Sequence, residues 1–274
     1  MIKFIGTDMD GTLLNSYSKI SKENIDSILR AVNSGIKYAI CSGRTLHSVN
    51  SFFSKDLKIP GYRVVLNGAV VVDPKGKKIV DAPIDKKTVE EIFKRVEFSN
   101  FKVVLDGLNS SYIYDPNHNF SAYYEGFDRH HFRAEDFNKL RSVNENENFQ
   151  IYKVCFSTSP KRLPELKKKL ESLASLDVSI SRSGSDYFEV NALDVSKLSA
   201  LQRISEYESI PITEFMCFGD YGNDLEMIKN VGYGVAMDNA IDLVKDESWT
   251  ITKNNNDNGV SFMIERVLNG DFDE

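Results

Sequence analysis

Two carboxylates placed two positions apart at the end of a short apolar strand constrain this chain more than any other feature. Ile2-Lys3-Phe4-Ile5-Gly6-Thr7 reads as a strand, and Asp8-Met9-Asp10-Gly11-Thr12 follows directly. Side chains alternate along a strand, so Asp8 and Asp10 face the same way and address one ligand together. Gly11 lets the chain turn sharply after them. Two anions this close repel, and a bound divalent cation, magnesium for an all-oxygen set, is the natural compensating charge. One carboxylate relieved of that repulsion can attack phosphorus, while its protonated neighbour hands a proton to the departing alkoxide. On this segment alone, a polar strand end that caps a helix or solvates a turn remains an alternative.

The flanking pattern supplies the sheet that such a strand needs. Ser21 precedes Ile25, Ile28, Leu29 and Val32 at helical spacing, and Gly35 stops the pattern as a C-terminal cap would. Ile36 to Cys41 is a second strand, followed at once by Ser42-Gly43-Arg44. Val64-Val65-Leu66-Asn67-Gly68 repeats the theme of an apolar strand ending in a polar, glycine-containing turn. These are βα units of a parallel sheet. A hairpin over Val70 to Val72 and Ile79-Val80 is predicted at its edge.

From about Pro83 the texture changes to a helix near 86–97, strands near 101–105 and 111–114, and an irregular aromatic-rich stretch to about 148. A strand near 150–157, a helix near 163–174 and strands near 177–182 and 186–191 complete an α+β segment. The α/β alternation then resumes with a helix near 196–207, strand 215–218, a helix near 222–230, strand 234–236, a helix near 240–245 and a closing helix near 260–268. The fold class expected is α/β, a doubly wound, Rossmann-like parallel-sheet core over 1–83 and 189–274 with an inserted α+β cap over 84–188.

Composition narrows the function classes. The net charge is -6 over 274 residues, with no long basic tract, so the footprint of a nucleic-acid binder is missing. Lys167-Lys168-Lys169 lies in a helical pattern with Leu163, Leu166, Leu170 and Leu173 and is best explained as a solvated helix face. Cys41, Cys155 and Cys217 each end an apolar stretch without metal or disulfide spacing, so reduced buried thiols are expected. With no charged leader and no apolar stretch of spanning length, the chain reads as cytoplasmic, with no membrane partner.

A second acidic loop, Gly219-Asp220-Tyr221-Gly222-Asn223-Asp224, follows the apolar strand 215–218. In open α/β sheets ligands bind outside the carboxyl ends of the strands, so this loop and the Asp8 loop converge if their strands are neighbours. Asp8, the Asp10 backbone carbonyl and Asp220, with Asp224 at or behind the ion, suit magnesium, which takes few carboxylates and keeps waters and phosphate oxygens. Ser42 and the N-H groups around Gly43 could hold a phosphate oxygen at a helix N-terminus. Lys197 could neutralise a transferring phosphoryl group, although a surface lysine is the commoner reading of any single one.

The order DxDGT, Ser-Gly-Arg, Lys197 and GDxxND resembles the haloacid dehalogenase-like phosphatase superfamily along the whole chain. Asn67-Gly68-Ala69 and the Asn-rich loop ending in Gly259-Val260 resemble its Cof-type subfamily, whose cap is inserted between the second and third motifs. The resemblance implies Asp8 as nucleophile, Asp10 as general acid and base, and Ser42 and Lys197 as phosphate binders. It further implies Asp220 and Asp224 around magnesium and Asn223 touching the phosphate. Leu198 stands where such chains usually have Gly, and Tyr221 is a bulky neighbour for a small site. Arg44, His47, Asn67 and Gly68 are candidates for the substrate side.

Other candidates have plainer explanations. Cys41 with Arg44 is too closely spaced for a thiolate phosphatase loop. His118, His130 and His131 have no carboxylate partner in sequence, and Tyr112, Tyr114, Phe120, Tyr123, Tyr124 and Phe127 either line a lid pocket or pack the cap core.

The expectation is a magnesium-dependent phosphatase acting on small phosphorylated metabolites, sugar phosphates first by resemblance, through an aspartyl-phosphate. Alternatives are a phosphosugar mutase or other phosphotransferase of the same superfamily, and a non-catalytic phosphate-responsive regulator akin to a receiver domain, against which Asp10 argues.

Overall fold

Strand β1 (Phe4–Thr7) is buried along its whole length, as an apolar run flanked by neighbours on both sides must be. The computed structural model describes residues 1–96, 101–117 and 130–272. The chain divides into two units, Met1–Asp81 with Ser196–Glu274, and Ala82–Val195. Strands are numbered in chain order, with β6 to β11 in the second unit.

Among the described residues of the first unit, an eight-stranded sheet runs β14-β13-β12-β1-β2-β3-β4-β5. Its other strands are β2 (Lys37–Cys41), β3 (Tyr62–Val65), β4 (Val70–Val72), β5 (Lys78–Asp81), β12 (Phe215–Gly219), β13 (Tyr233–Ala236) and β14 (Thr250–Ile251). From β14 to β3 the neighbours are parallel, and β4 and β5 close the edge antiparallel. The chain moves from β1 to β2 and β3 on one side, and from β12 to β13 and β14 on the other, so the winding direction reverses between β1 and β12. In such sheets that reversal opens a crevice at the carboxyl ends of the two strands. The register Thr7↔Phe218 sets Asp8 level with Gly219, next to Asp220. Phe4 stacks on Phe215 at 4.2 Å between ring centres and anchors the pair from the opposite end.

Helices join these strands by ordinary capping chemistry. Ser21 accepts a hydrogen bond from the Asn24 backbone at the start of helix Lys22–Asn33. Ser196 and Ser199 form a reciprocal capping box at the start of helix Lys197–Glu208.

In the second unit, among the described residues, a six-stranded sheet runs β10-β11-β9-β6-β7-β8. Its members are β6 (Lys102–Asp106), β7 (Ser111–Tyr114), β8 (His131–Arg133), β9 (Lys153–Ser157), β10 (Val178–Arg182) and β11 (Tyr187–Ala192). Val103, Leu105, Val154, Phe156 and Val190 alternate onto one face and share a core with Val89, Ile92 and Phe93 of helix Lys86–Arg95 and Leu166 and Leu170 of helix Leu163–Glu171. Tyr112 packs against that core, stacked on Phe132 and edge-on to Phe149 at 5.0 Å each, so core packing is its role. On the other face Lys153 pairs with Glu189 at 2.7 Å and Asp106 at 3.3 Å.

The pattern expected to be irregular up to residue 148 contains β8 and a short helix, Phe137–Ser142, capped by Asp136 accepting from the Lys139 backbone. A three-residue strand with two exposed side chains shows no alternation from which to infer it. The strand expected from 150 begins at Lys153, and β11 continues to Ala192, beyond the boundary drawn at 188. His118, Phe120, Tyr123, Tyr124 and Phe127 lie outside the described residues. Among the described residues, no helix is long and apolar enough to cross a membrane.

Candidate active site

The loop after β1 is fastened to the loop after β12 at several points. Asp8 is 6% exposed, and its backbone N-H donates to the Phe218 carbonyl, which continues the sheet ladder by one residue. Gly11 sits at φ +80°, where a Cβ would lie 2.3 Å from an Asp220 carboxylate oxygen, so glycine meets both a conformational and a steric demand there. Thr12 Oγ1 donates to Asp220 Oδ1 at 3.0 Å. From the loop beyond β13, Asn239 Nδ2 donates to the Gly11 carbonyl at 2.7 Å.

Lys197 is the electrostatic centre of the site. Its side chain is fully buried, and Nζ lies 2.6 Å from Asp8 Oδ1 and 2.6 Å from Asp224 Oδ1. The second Asp224 oxygen accepts the backbone N-H groups of Asp220 at 3.0 Å and Tyr221 at 3.1 Å. That backward reach accounts for a difference from the sequence expectation. The helix drawn from 222 begins as a 3-10 turn, Gly222–Asp224, and becomes α-helical only over Leu225–Asn230. Neither residue that departs from the family pattern disrupts the elements. Helix Lys197–Glu208 starts regularly with half-buried Leu198 in its first turn, and Tyr221 contributes its backbone N-H.

Asp8, Asp220 and Asp224 each bring one carboxylate oxygen within 4.8 Å of the others, all three residues being buried. One lysine cannot balance three ionised carboxylates. Burial, then the neighbouring Asp224 charge, pushes the Asp220 carboxyl up to about 7. Burial also raises Asp8 well above the ordinary carboxylate range, against the opposing pull of Lys197. Burial lowers the Lys197 pKa, but Asp224 and Asp8 more than offset it, so the ammonium stays charged. An all-oxygen donor set with excess negative charge and little solvent fits a hard divalent cation. Asp10 contributes no carboxylate to this cluster, because Arg44 holds both its oxygens.

The raised carboxyls carry a stability prediction. A carboxyl with a folded pKa of about 7 and an ordinary value of 3.8 binds more protons folded than unfolded between those limits. Metal-free protein should therefore lose melting temperature as pH rises from about 5 to about 8. Added magnesium should recover more of it at the upper end. Asp220→Asn should flatten both responses, and a metal-independent profile identical in the variant would contradict this reading.

The Ser42 turn and the loop after β3 complete the site. Ser42 is buried and donates its N-H to Val64 O, while its hydroxyl accepts from the Arg44 N-H at 3.1 Å. Gly43 lies between them, and His47 is half-buried in helix Leu46–Phe52 just beyond. The Asn67 backbone N-H donates to Ser42 O, and its side-chain oxygen accepts from Asn223 Nδ2 at 3.3 Å, which ties the Ser42 turn to the second acidic loop. Gly68, at φ +100°, lets the chain approach so closely that a Cβ would meet the Ser196 carbonyl at 2.3 Å. Gly68→Ala should push away the start of the Lys197 helix, costing about 1–3 kcal/mol and at least about tenfold in turnover. Denaturant unfolding and phosphate release check this, and wild-type values in both would contradict it. Cys41 is no thiolate nucleophile, since burial pushes its thiol up to about 12.

Thr12, Asn239 and Asn255 were not singled out by sequence reasoning, although they build the site's frame. Asn255 donates to the Leu14 carbonyl at 2.8 Å, and its backbone N-H donates to Asn239. The density of asparagine over 253–258 reads as a loop and helps carry the Cof-type resemblance but names no contact, because an amide's partner hundreds of residues away leaves no trace in local spacing.

A family model described as haloacid dehalogenase-like hydrolase matches residues 5–264. The chain is 31% identical to a 5-amino-6-(5-phospho-D-ribitylamino)uracil phosphatase of Bacillus subtilis, over 99% of this chain and 100% of that one. It is 28% identical to an HMP-PP phosphatase of Yersinia pseudotuberculosis, over 90% of this chain and 88% of that one. The solved structure of a haloacid dehalogenase-like hydrolase from B. subtilis superposes with a TM-score of 0.84 at 27% identity, covering 97% of this chain and 100% of that one.

Proposed function

We propose that this chain, which belongs to the haloacid dehalogenase-like hydrolase family and is a phosphoric monoester hydrolase, hydrolyses small phosphorylated metabolites through a covalent aspartyl-phosphate on Asp8. The carrying observation is the buried contact of Lys197 with Asp8 and Asp224 at the sheet's reversal point. An ammonium held there opposes the neutralising effect of burial on Asp8 and is already oriented toward the charge that gathers on a transferring phosphoryl group.

In the first step an Asp8 oxygen bonds to phosphorus as the ester oxygen leaves, and the Asp10 proton goes to that oxygen. In the second, a water oxygen bonds to phosphorus, the Asp8–phosphorus bond breaks, and the water's proton returns to Asp10. Ser42, the Gly43 backbone and Asn223 hold phosphoryl oxygens in place. Asp8, the Asp10 carbonyl and Asp220, with Asp224 alongside, would hold magnesium, which would supply positive charge to the phosphoryl oxygens.

Selectivity comes from the Ala82–Val195 unit. Every phosphate-handling segment lies outside it, yet the chain returns from it immediately before Ser196 and Lys197. Relatives are named as phosphatases of 5-amino-6-(5-phospho-D-ribitylamino)uracil and of HMP-PP, and sugar phosphates head the expected substrates here.

The test is phosphate release from an aryl phosphate and a panel of phosphorylated metabolites, with magnesium and after chelation. Magnesium-dependent release from several of these is expected. No release from any of them by folded protein would overturn the reading, and full activity after exhaustive chelation would remove the metal from it.

A further inference from the structure

Arg44 grips both oxygens of Asp10. Its Nε donates to Oδ2 at 2.8 Å and its Nη2 to Oδ1 at 2.6 Å, a bidentate pair that fixes the carboxylate's plane as well as its position. The two partners are unequal. The Arg44 side chain is 11% exposed and that of Asp10 56%, so arginine is the fixed member and aspartate the adjustable one. Ser48 Oγ lies 3.4 Å from Arg44 Nη1, and the guanidinium sits 5.7 Å from the centre of the Phe52 ring. Both ends of the Arg44 backbone are also tied. Its N-H donates to Ser42 Oγ at 3.1 Å, and its carbonyl accepts from the Leu66 N-H at 3.0 Å.

We infer that Arg44 is a positioning residue for Asp10, orienting the acid and base carboxylate relative to the phosphate held at the Ser42 turn. The inference rests on the phosphatase reading and goes beyond it, because sequence reasoning put Arg44 on the substrate side of the site. Proton transfer to a leaving oxygen depends steeply on geometry, and a misplacement of about 1 Å can cost about a hundredfold. A mostly exposed aspartate needs rigid support to hold one aim. A fork mounted on the same turn as Ser42 supplies it, and links phosphate binding to the aim of the proton donor.

The test compares kcat and KM of wild type, Arg44→Ala, Arg44→Lys, Asp10→Asn and the Arg44→Ala/Asp10→Asn double variant on an aryl and a primary alkyl phosphate. An aryl leaving group needs little protonation and an alkyl one needs much. Arg44→Ala should therefore lower kcat on the alkyl ester at least about tenfold more than on the aryl ester, with KM changed less than about threefold. Arg44→Lys should not restore the alkyl rate, since one ammonium cannot form two parallel bonds. In the Asp10→Asn background, Arg44→Ala should add no further dependence on leaving group. Equal losses on both esters, a loss confined to KM, or fully additive effects in the double variant would each overturn the inference. Wild type inactive on both esters would instead defeat the phosphatase reading, and this inference with it.

Discussion

Asp8→Asn is expected to abolish turnover of every phosphate ester, by at least about four orders of magnitude, while leaving the protein folded. A carboxamide cannot take the phosphoryl group, and no neighbouring group can replace it. Asp224 is committed to Lys197 and to two backbone N-H groups, and Asp220 to Thr12. The stability side is equally specific. Asp8 is buried beside two other carboxylates, and burial already drives its carboxyl toward the neutral form. Removing that charge relieves repulsion, and Lys197 keeps Asp224 as a partner. Metal-free Asp8→Asn should thus melt no lower than wild type. Residual kcat within about tenfold of wild type would contradict the nucleophile assignment.

Lys197→Met should be the most disruptive single change to stability, with a large loss of activity beside it. Methionine preserves much of the stem's volume, so the variant removes the cation and little packing. It strips the charged partner from Asp8 and Asp224, both buried, and breaking a buried pair from one side costs about 3–5 kcal/mol. The Lys197 pKa is raised in the folded protein, so its contribution is complete below its ordinary value of 10.5 and is lost only as pH climbs past that. The full loss should therefore appear at neutral pH. Turnover should fall by at least about two to three orders of magnitude, the scale of losing one oriented donor to a developing anion. Combining Lys197→Met with Asp8→Asn should cost less stability than the two separate effects summed, because the second change removes one of the stranded charges. Denaturant unfolding of the four proteins decides this, and a loss below about 1 kcal/mol for Lys197→Met would show that the cluster is not held by that cation.

Much of the core and of the candidate site was legible because its signals are local. A strand, a carboxylate and a turn-forming glycine occupy adjacent positions at 4–12 and again at 215–224, and parallel-sheet logic places both at carboxyl ends. The pairing of β1 with β12, which brings them together, is a long-range choice that no local period encodes. Likewise nothing near Arg44 in sequence announces that its fork closes on Asp10, and Thr12 and Asn239 act on partners that only the folded chain supplies. Asp224 illustrates a subtler limit. Helical spacing placed it at a helix start, whereas its two oxygens in fact divide between Lys197 and the backbone of Asp220 and Tyr221, which tightens the first turn. In the second unit, β8 and helix Phe137–Ser142 are too short for periodicity to register.

The central claim is that Asp8 carries the phosphoryl group between the two steps. Acyl phosphates are reduced by borohydride to the corresponding alcohol, so acid-quenching the enzyme during turnover of an aryl phosphate and treating it with borohydride converts a phosphorylated aspartate to homoserine. Peptide mass spectrometry then reads the modified position. The account predicts homoserine at Asp8, dependent on substrate and absent from Asp8→Asn. Homoserine at another aspartate, or steady turnover with no reducible acyl phosphate anywhere in the chain, would contradict it.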